Sequence, residues 1–463
     1  MRDGIQPARL TRSRRARLLA VALVASLASV AGCTGSSGTT AASTATATPA
    51  RVVANCLPVS CYSPHVFQVA YGIQPLLNRG IDGRGETVTV LDAGGNVGPS
   101  SGPASPSPGQ GQVVVTAPPG QGLPASTDIR QDLKAFDSMF RLPAARIQVV
   151  TTLAGSAAPY QAAADDVGDI EVLHMIAPAA TLRVVVLPNN ALDSAAKATA
   201  DMIAGLRLAV SDTDVASIDW SLGEHFFTKA QVTEMNSILA GAAAHHVTVV
   251  ASSGDNGAFS DPWFGGTAVK EVSLPASDPL VLAVGGTTLT VDPISGAYVS
   301  ETVWDGQSGF SLTNGVSGGG FSDRYARPSY QNGVPGIGAM RGVPDVAADA
   351  DMQGGSPTVM AAHGKTGIMS NSGTSADAPL WAGLIALADQ YAHHDLGFVN
   401  PAIYRIARSS SYHQAFHDIT TGSNIQTIPY PGGTGGWKAA PGWDPATGWG
   451  SPDAQVLVPL LAA

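Results

Sequence analysis

One segment of the chain combines a serine with small residues in an order that suits nucleophilic catalysis. Residues Ser372–Pro379 read Ser-Gly-Thr-Ser-Ala-Asp-Ala-Pro, and an apolar helix is predicted to begin near Leu380. A serine at a helix N-terminus lies beside free backbone N–H groups and the positive end of the helix dipole, which can stabilise an oxyanion. Ser375 is therefore a candidate nucleophile. The alternative is a serine that caps a core helix, which is a frequent structural use of serine.

A second segment could supply a carboxylate base. Residues Asp165–Glu171 read Asp-Asp-Val-Gly-Asp-Ile-Glu, with acids at Asp165 and Asp169. In a helix this spacing puts the two side chains on one face, about 5–6 Å apart at Cβ, where one proton can be shared. Such a pair can act as a base at a pH where imidazole is protonated. The alternative is an acidic helix start that complements the dipole. Asp166 points about 100° away and receives no role.

Alternating strands and helices must position these groups. Runs such as Val247–Ala251 are apolar on both faces, as buried parallel strands are. Strand–helix alternation predicts an α/β fold with a parallel sheet and helices on both faces. Residues 95–126 are rich in Gly, Pro and Ser and predict a surface loop. The predicted strands are 86–91, 147–151, 181–187, 216–220 and 247–251, and the predicted helices are 128–140, 165–176, 193–209 and 229–245.

These motifs resemble those of a known family. Gly-Thr-Ser-Ala-x-x-Pro at Gly373–Pro379 is similar to the nucleophile motif of the subtilisin and sedolisin superfamily. None of the ten His lies in a setting like the His-Gly-Thr-His of subtilisins, and His174 is expected to pack inside a helix. The chain therefore resembles sedolisins, in which a carboxylate replaces that His. Further matching segments, between residues 62 and 453, are Leu274–Ser277, Val284–Thr287, Ser317–Ser322, Pro328–Gln331 and Arg341–Val346.

The resemblance implies a subtilisin-like fold and a serine-carboxyl peptidase with an acidic pH optimum. Ser375 would be the nucleophile, Asp165 the general base and acid, Asp169 its partner and Asp255 the oxyanion donor. The sedolisin motif is Glu-x-x-x-Asp, so Asp165 is one methylene short. Three outcomes are open: a backbone shift restores the contact with Ser375, a water molecule bridges the gap, or activity is very low. The last is included because displacing a catalytic group by about 1 Å can lower the rate on the order of a hundredfold.

The resemblance also implies roles in the surrounding loops. Asp255 lies in Gly-Asp-Asn-Gly, a sequence that equally suits a structural β-turn, and its carboxyl group donates only when protonated. The segment Ser221, Leu222 and Gly223 is similar to the edge that pairs with the substrate backbone, its alternative being an ordinary strand end. Asp92 lies where subtilisins keep the triad Asp. With no His to orient, it is expected to be structural.

A C-terminal calcium site is a further implication of the resemblance. Carboxylates would come from Asp418 and Asp444, and backbone carbonyls from Ile419, Ala440 and Gly442, a set of oxygen ligands that one Ca²⁺ ion prefers. The alternative is a Gly- and Pro-rich turn capped by Asp.

Composition excludes some classes of partner. The 463 residues include 44% hydrophobic and 13% charged residues, with a formal net charge of −10. No basic cluster lies outside the first twenty residues, which argues against a nucleic-acid partner.

The N-terminus predicts export. Residues 1–32 combine an Arg-rich start with a short apolar stretch that runs into Val30-Ala31-Gly32-Cys33, similar to a lipoprotein signal. Cys33 would carry the lipid, the alternative being a simple secretory signal. Of the three Cys, Cys56 and Cys61 would then form a local disulfide, with a metal pair as the weaker alternative.

The predicted organisation is a signal over 1–32, a tether rich in Thr, Ala and Ser over 33–60 and a peptidase domain over 61–463, without the large prosegment of sedolisins. We expect a monomer on the outer face of the cytoplasmic membrane, or secreted, that cleaves peptides or unfolded proteins. Two alternatives remain. One is a lipid-anchored pseudopeptidase that binds peptides or acts as a scaffold, and the other is a His-dependent subtilisin.

Overall fold

A largely parallel sheet forms the centre of the part of the chain that the computed structural model describes. The described residues belong to one unit, Arg51–Ala463. They are 60–92, 128–151, 164–187, 193–260, 269–306, 315–362, 365–428 and 433–463. The predicted signal, Cys33, most of the tether and the loop at 95–126 lie outside them.

The helices and strands follow in chain order. The helices are α1 (Pro64–Ala70), α2 (Gln74–Leu77), α3 (Ile129–Phe140), α4 (Ala164–Ile176), α5 (Ala195–Ala209), α6 (Lys229–Ala244), α7 (Thr374–Ala392), α8 (Asn400–Ala407), α9 (Tyr412–Ala415) and α10 (Ala454–Leu461). The strands up to residue 303 are β1 (Thr87–Asp92), β2 (Arg146–Thr151), β3 (Thr181–Val186), β4 (Val215–Ile218), β5 (Leu222–Gly223), β6 (Thr248–Ser252), β7 (Ser273–Leu274), β8 (Leu282–Val291) and β9 (Tyr298–Val303). The later strands are β10 (Gly320–Ala326), β11 (Met340–Val343), β12 (Val346–Asp349), β13 (Pro357–Ala362), β14 (Lys365–Ser370), β15 (Phe416–His417), β16 (Gln426–Ile428), β17 (Gly433–Gly435) and β18 (Ser451–Pro452).

The main sheet has the strand order β12-β8-β6-β4-β1-β3-β2, with β9 added antiparallel to β8. Its other neighbours are parallel, and Leu91, Ile218 and Ala251 lie side by side in β1, β4 and β6. The residues that follow these three therefore meet at one edge of the sheet. Clefts at the carboxyl ends of parallel strands are where open α/β folds place their ligand sites.

Helices cover both faces of this sheet because successive strand residues point in opposite directions. In β6, Val250 joins the hydrophobic cluster that contains α4 and α7, whereas Val249 and Ala251 join the cluster that contains α5 and α6. The predicted α/β fold, a largely parallel sheet flanked by helices on both faces, is confirmed.

Most predicted elements form within two residues of their expected bounds. The exception is α7, which begins at Thr374 rather than near Leu380. The prediction was wrong because proline usually opens a helix, whereas here Pro379 lies inside one. Its missing N–H leaves the carbonyl of Ser375 without a helical hydrogen bond.

Two further observations concern the cysteines and the possibility of a membrane-spanning helix. Cys61 is disulfide-bonded, and its expected partner, Cys56, lies outside the described residues. Among the helices that the structure describes, none combines the length and apolar character that crossing a membrane requires.

Several carboxyl groups are buried around α7. Glu171, Asp349 and Asp377 are 0%, 4% and 1% exposed. Burial raises the pKa of each well above its ordinary value, and the charge of Asp349 raises the pKa of Asp377 further. Neither carboxyl oxygen of Asp377 has a hydrogen-bond partner among the described residues. Ionisation of these groups in the folded state is therefore unfavourable.

We expect the free energy of unfolding to fall as the pH rises from about 4 to 7. The unfolded chain ionises these carboxyls near their ordinary pKa of about 4, while the folded state holds them protonated to higher pH. Stability is thus fully present below the unfolded pKa and is lost as the pH rises through the folded pKa. Asp377→Asn should flatten this decline by about 1 kcal/mol or more, measured by urea unfolding at several pH values.

Glu234→Gln provides the control, because Glu234 is an exposed carboxylate paired with Arg207 on the surface. This variant should keep the slope of the wild-type protein. Equal slopes for wild type and Asp377→Asn would show that Asp377 ionises normally in the folded state.

Candidate active site

Ser375 is the second residue of α7, and its side chain is half-buried. The strand β14 leads into this helix, and the turn between them ends at Gly373, whose φ of 105° favours glycine. Gly373 is the N-cap and provides no side-chain cap. The interpretation of Ser375 as a capping serine is therefore wrong, since the hydroxyl lies beyond the cap, in the first turn.

Asp255 lies against the start of this helix. It follows β6 in a turn opened by Gly254, whose φ is 102°. One carboxyl oxygen, Oδ1, accepts hydrogen bonds from the backbone N–H of Thr374 at 2.9 Å and from its hydroxyl at 2.8 Å. The N–H of Gly254 donates to the same hydroxyl at 3.1 Å. Thr374 therefore joins the turn after β6 to the first turn of α7.

The second oxygen of Asp255 shares a small volume with the nucleophile. A Cβ atom on Gly373 would lie 2.7 Å from Asp255 Oδ2 and 3.3 Å from Ser375 Oγ. Both oxygens therefore flank the space that the missing side chain of Gly373 leaves open. Desolvation raises the pKa of Asp255, although the hydrogen bonds from Thr374 partly offset it. A protonated Asp255 can donate a hydrogen bond into this space.

Asp169 approaches from α4 on the other side of the segment. It is fully buried, and its Oδ1 accepts a hydrogen bond from Asn371 Nδ2 at 3.2 Å. The close approach depends on Gly168, because a Cβ there would lie 2.5 Å from Asn371 Nδ2 and 2.4 Å from Thr358 Oγ1. Asn371 lies four positions before Ser375, so Asp169 contacts the segment that leads into the nucleophile.

Asp165 begins the same helix four residues before Asp169, on the same face. Its side chain lies outside the described residues, so its role as the base stays a prediction. His174, in the same helix, hydrogen-bonds to the carbonyl of Pro143 at 3.0 Å and pairs with Asp137 at 2.9 Å. These contacts agree with the packing role expected for His174.

Two acids without a predicted role lie at the same edge of the sheet. Asp219 follows β4 and is 5% exposed, and Asp166 is 3% exposed. Ser217 Oγ donates to Asp219 Oδ1 at 2.5 Å, while Oδ2 has no hydrogen-bond partner among the described residues. Burial raises the pKa of Asp219 well above its ordinary value, and the charge of Asp166 adds to this. In the sequence, the signal that could have identified Asp219 is an aspartate directly after an apolar strand.

The segment predicted to bind the substrate backbone lies nearby. A Cβ on Gly254 would lie 3.5 Å from Ser221 Oγ, so Ser221 borders the turn that carries Asp255. Leu222 and Gly223 are buried and pair antiparallel with Ser273–Leu274. One edge of β5 is therefore occupied, and substrate pairing stays a prediction. Asp92 ends β1 at the same edge, but its side chain lies outside the described residues.

The predicted calcium residues also come together. Gly442 N–H donates to both oxygens of Asp418 at 3.1 Å. Ala440 N–H donates to Asp444 Oδ2 at 3.0 Å, and Asp444 is 2% exposed. Carboxylate oxygens have further lone pairs, and two of the predicted ligand carbonyls, those of Ala440 and Gly442, belong to residues whose N–H groups donate to these carboxylates. This all-oxygen donor set fits Ca²⁺.

Comparison with known proteins places the chain in a family. A family model described as the subtilase family matches residues 151–421. Kumamolisin from Bacillus sp. (strain MN-32) is 36% identical over 305 residues, which are 63% of this chain and 50% of kumamolisin. Sedolisin from Pseudomonas sp. (strain 101) is 33% identical over 270 residues, 57% of this chain and 44% of sedolisin.

More distant matches agree. Human tripeptidyl-peptidase 1 is 29% identical over 271 residues, 53% of this chain and 43% of that protein. The chain spans about half the length of the curated relatives it matches. A structure of Pseudomonas sedolisin, a serine-carboxyl proteinase, in complex with pseudo-iodotyrostatin has a TM-score of 0.64 and 26% identity, and the match covers 86% of this chain and 97% of that one. The chain therefore belongs to the subtilase family, in its sedolisin branch.

Proposed function

We propose that this protein is a serine-carboxyl peptidase that hydrolyses peptide bonds through an acyl-enzyme on Ser375. The observation that carries the proposal is the shared space between Ser375 Oγ and Asp255 Oδ2 at the start of α7. The relatives named sedolisin, kumamolisin and tripeptidyl-peptidase support it. The substrate would be an extended peptide or an unfolded protein.

Each acid has a distinct task in this mechanism. Asp165 accepts the proton of Ser375 as Oγ attacks the scissile carbonyl, and Asp169 supports Asp165 from the next turn of α4. Protonated Asp255 donates a hydrogen bond to the oxyanion of the tetrahedral intermediate. The proton on Asp165 passes to the leaving amine as the acyl-enzyme forms, and water then releases the acid by the reverse sequence of transfers. Carboxyl groups in all these roles favour catalysis at acidic pH.

We also propose a structural calcium ion in the C-terminal loop. Asp418 and Asp444 would hold it with the carbonyls of Ile419, Ala440 and Gly442. The support is the hydrogen bonding of Asp444 with Ala440 N–H and of Asp418 with Gly442 N–H. When bound, the ion supplies charge neutralisation that stabilises the fold of this loop.

Export as a lipoprotein is a further part of the proposal. The apolar stretch before Cys33 and the Arg-rich start support lipid attachment at Cys33, on the outer face of the cytoplasmic membrane. Cys33→Ser should release the protein from the membrane fraction, which cell fractionation measures. Unchanged membrane association of this variant would contradict lipid attachment at Cys33. A Cys56–Cys61 disulfide and a monomeric state complete the proposal.

Ser375→Ala should lower the rate of peptide hydrolysis by about a thousandfold or more, because the acyl-enzyme cannot form. The measurement is cleavage of a mixed peptide library and of denatured protein between about pH 3 and 7. The matched control is Ser194→Ala. Ser194 caps α5 through a hydrogen bond from Lys197 N–H, so its loss should reduce stability by about 1 kcal/mol and leave the rate unchanged. Equal rates for wild type and Ser375→Ala would instead indicate a peptide-binding pseudopeptidase.

Substitution of Asp255 should change the pH profile as well as the rate. Asp255→Ala removes the donor and should reduce kcat by about a hundredfold to a thousandfold. Asp255→Asn keeps an N–H donor at every pH, so its activity should persist to higher pH than that of the wild type. A profile for Asp255→Asn with the same fall at high pH would argue against an oxyanion role.

Asp165→Glu should raise kcat by up to about a hundredfold if the missing methylene limits proton transfer from Ser375. The comparison of single-turnover rates in wild type and variant measures this. Asp166→Glu is the matched control, because it adds the same methylene one residue along the helix. A gain for Asp166→Glu but not for Asp165→Glu would assign the base to the other acid.

A further inference from the structure

We propose that Glu86, Asp389 and Asp395 bind a second calcium ion at the amino-terminal edge of the main sheet. This edge is opposite the candidate active site, since Glu86 precedes β1 and Asp389 lies in the last turn of α7. The cluster is separate from the C-terminal loop of Asp418 and Asp444.

The spacing of the three carboxylates suits one calcium ion. One oxygen from each of Glu86, Asp389 and Asp395 lies within 4.8 Å of the others. Calcium binds oxygen at about 2.3–2.6 Å, so two oxygens on one ion lie no more than about 5 Å apart. A fourth acid, Asp214, is close, and its Oδ2 accepts a hydrogen bond from Thr87 N–H at 2.7 Å.

The buried member of the cluster has an unsatisfied oxygen. Asp389 is 1% exposed. Its Oδ1 accepts a hydrogen bond from Leu396 N–H at 2.8 Å, whereas the buried Oδ2 has no hydrogen-bond partner among the described residues. A buried carboxylate oxygen without a partner is costly, and either a proton or a cation must compensate it. This observation is independent of the clustering, and a bound cation is one of the two ways to compensate the buried oxygen.

The local field also favours a cation. The C-terminal end of a helix carries partial negative charge, which destabilises carboxylates such as Asp389 and stabilises cations. None of the three carboxylates forms an ion pair with a Lys, Arg or His that the structure describes. Arg84, two residues before Glu86, pairs instead with Asp82 at 3.1 Å. The negative charges are therefore not neutralised by an ion pair among the described residues.

The carboxylates of Glu86, Asp389 and Asp395 repel one another at this separation. A divalent cation at the centre would relieve this repulsion.

Ligand chemistry favours calcium over other divalent ions. The three groups offer oxygen only, which suits hard cations, and Mg²⁺ demands a tighter octahedron at about 2.0–2.1 Å. A surface cavity lined by Glu86, Asp214 and Asp395, and also by Arg84, gives an ion access to two of the three carboxylates. His393 and His394 line the same cavity, so Zn²⁺ is the competitor that the experiment must distinguish.

The test compares wild type with the double variant Glu86→Gln/Asp395→Asn. Calcium bound to the full chain is counted by equilibrium dialysis, and Tm is measured in EDTA and in CaCl₂. We expect the double variant to lose one equivalent of bound calcium. Its Tm should be higher than that of the wild type in EDTA, because repulsion is removed, and lower in CaCl₂, because binding is lost. A purely structural role for these acids does not produce that reversal.

Asp418→Asn is the matched control, since it removes a carboxylate from the C-terminal loop only. It should keep the calcium that the double variant loses. The proposal is overturned if the double variant binds as much calcium as the wild type, or if Asp418→Asn abolishes all bound calcium. Binding of ZnCl₂ but not CaCl₂ at this cluster would equally overturn the assignment of the ion.

Discussion

The hydrogen bonding of Thr374 is the constraint on which the candidate site depends. Its N–H and hydroxyl both donate to Asp255, and its hydroxyl accepts from Gly254 N–H. These bonds join the end of a central strand to the start of the helix that carries Ser375. Asp255 lies in the turn after this strand, and the hydrogen bonds of Thr374 fix that turn against the first turn of the helix.

The site is built where carboxyl groups remain protonated more readily than in water. Asp219, Asp255 and Asp377 all have a raised pKa, and desolvation is the largest cause in each case. A protonated carboxyl can donate a hydrogen bond, whereas a carboxylate can only accept. The same burial therefore underlies both the proposed catalysis at acidic pH and the predicted loss of stability towards neutral pH.

Acids at the two edges of the sheet serve different chemistry because their surroundings differ. Near Ser375, Asp169 and Asp255 each meet side-chain or backbone donors that can orient a proton. At the opposite edge, Glu86, Asp389 and Asp395 converge at the C-terminal end of α7, where oxygen ligands and negative charge suit a cation. The same residue type thus serves the proposed proton transfer in one place and the proposed ion binding in the other.

The sequence by itself determined the alternating strands and helices, because apolar runs and turn residues are local signals. It also predicted Ser375, Asp169 and Asp255 as site residues through their motifs. It missed the start of α7, since Pro379 is a local helix-opening signal that the surrounding core overrides. Only the tertiary structure brought Asp219 towards Asp166, and Glu86 towards Asp389, because carboxyl groups far apart in the chain change each other's pKa through space, after folding has excluded water.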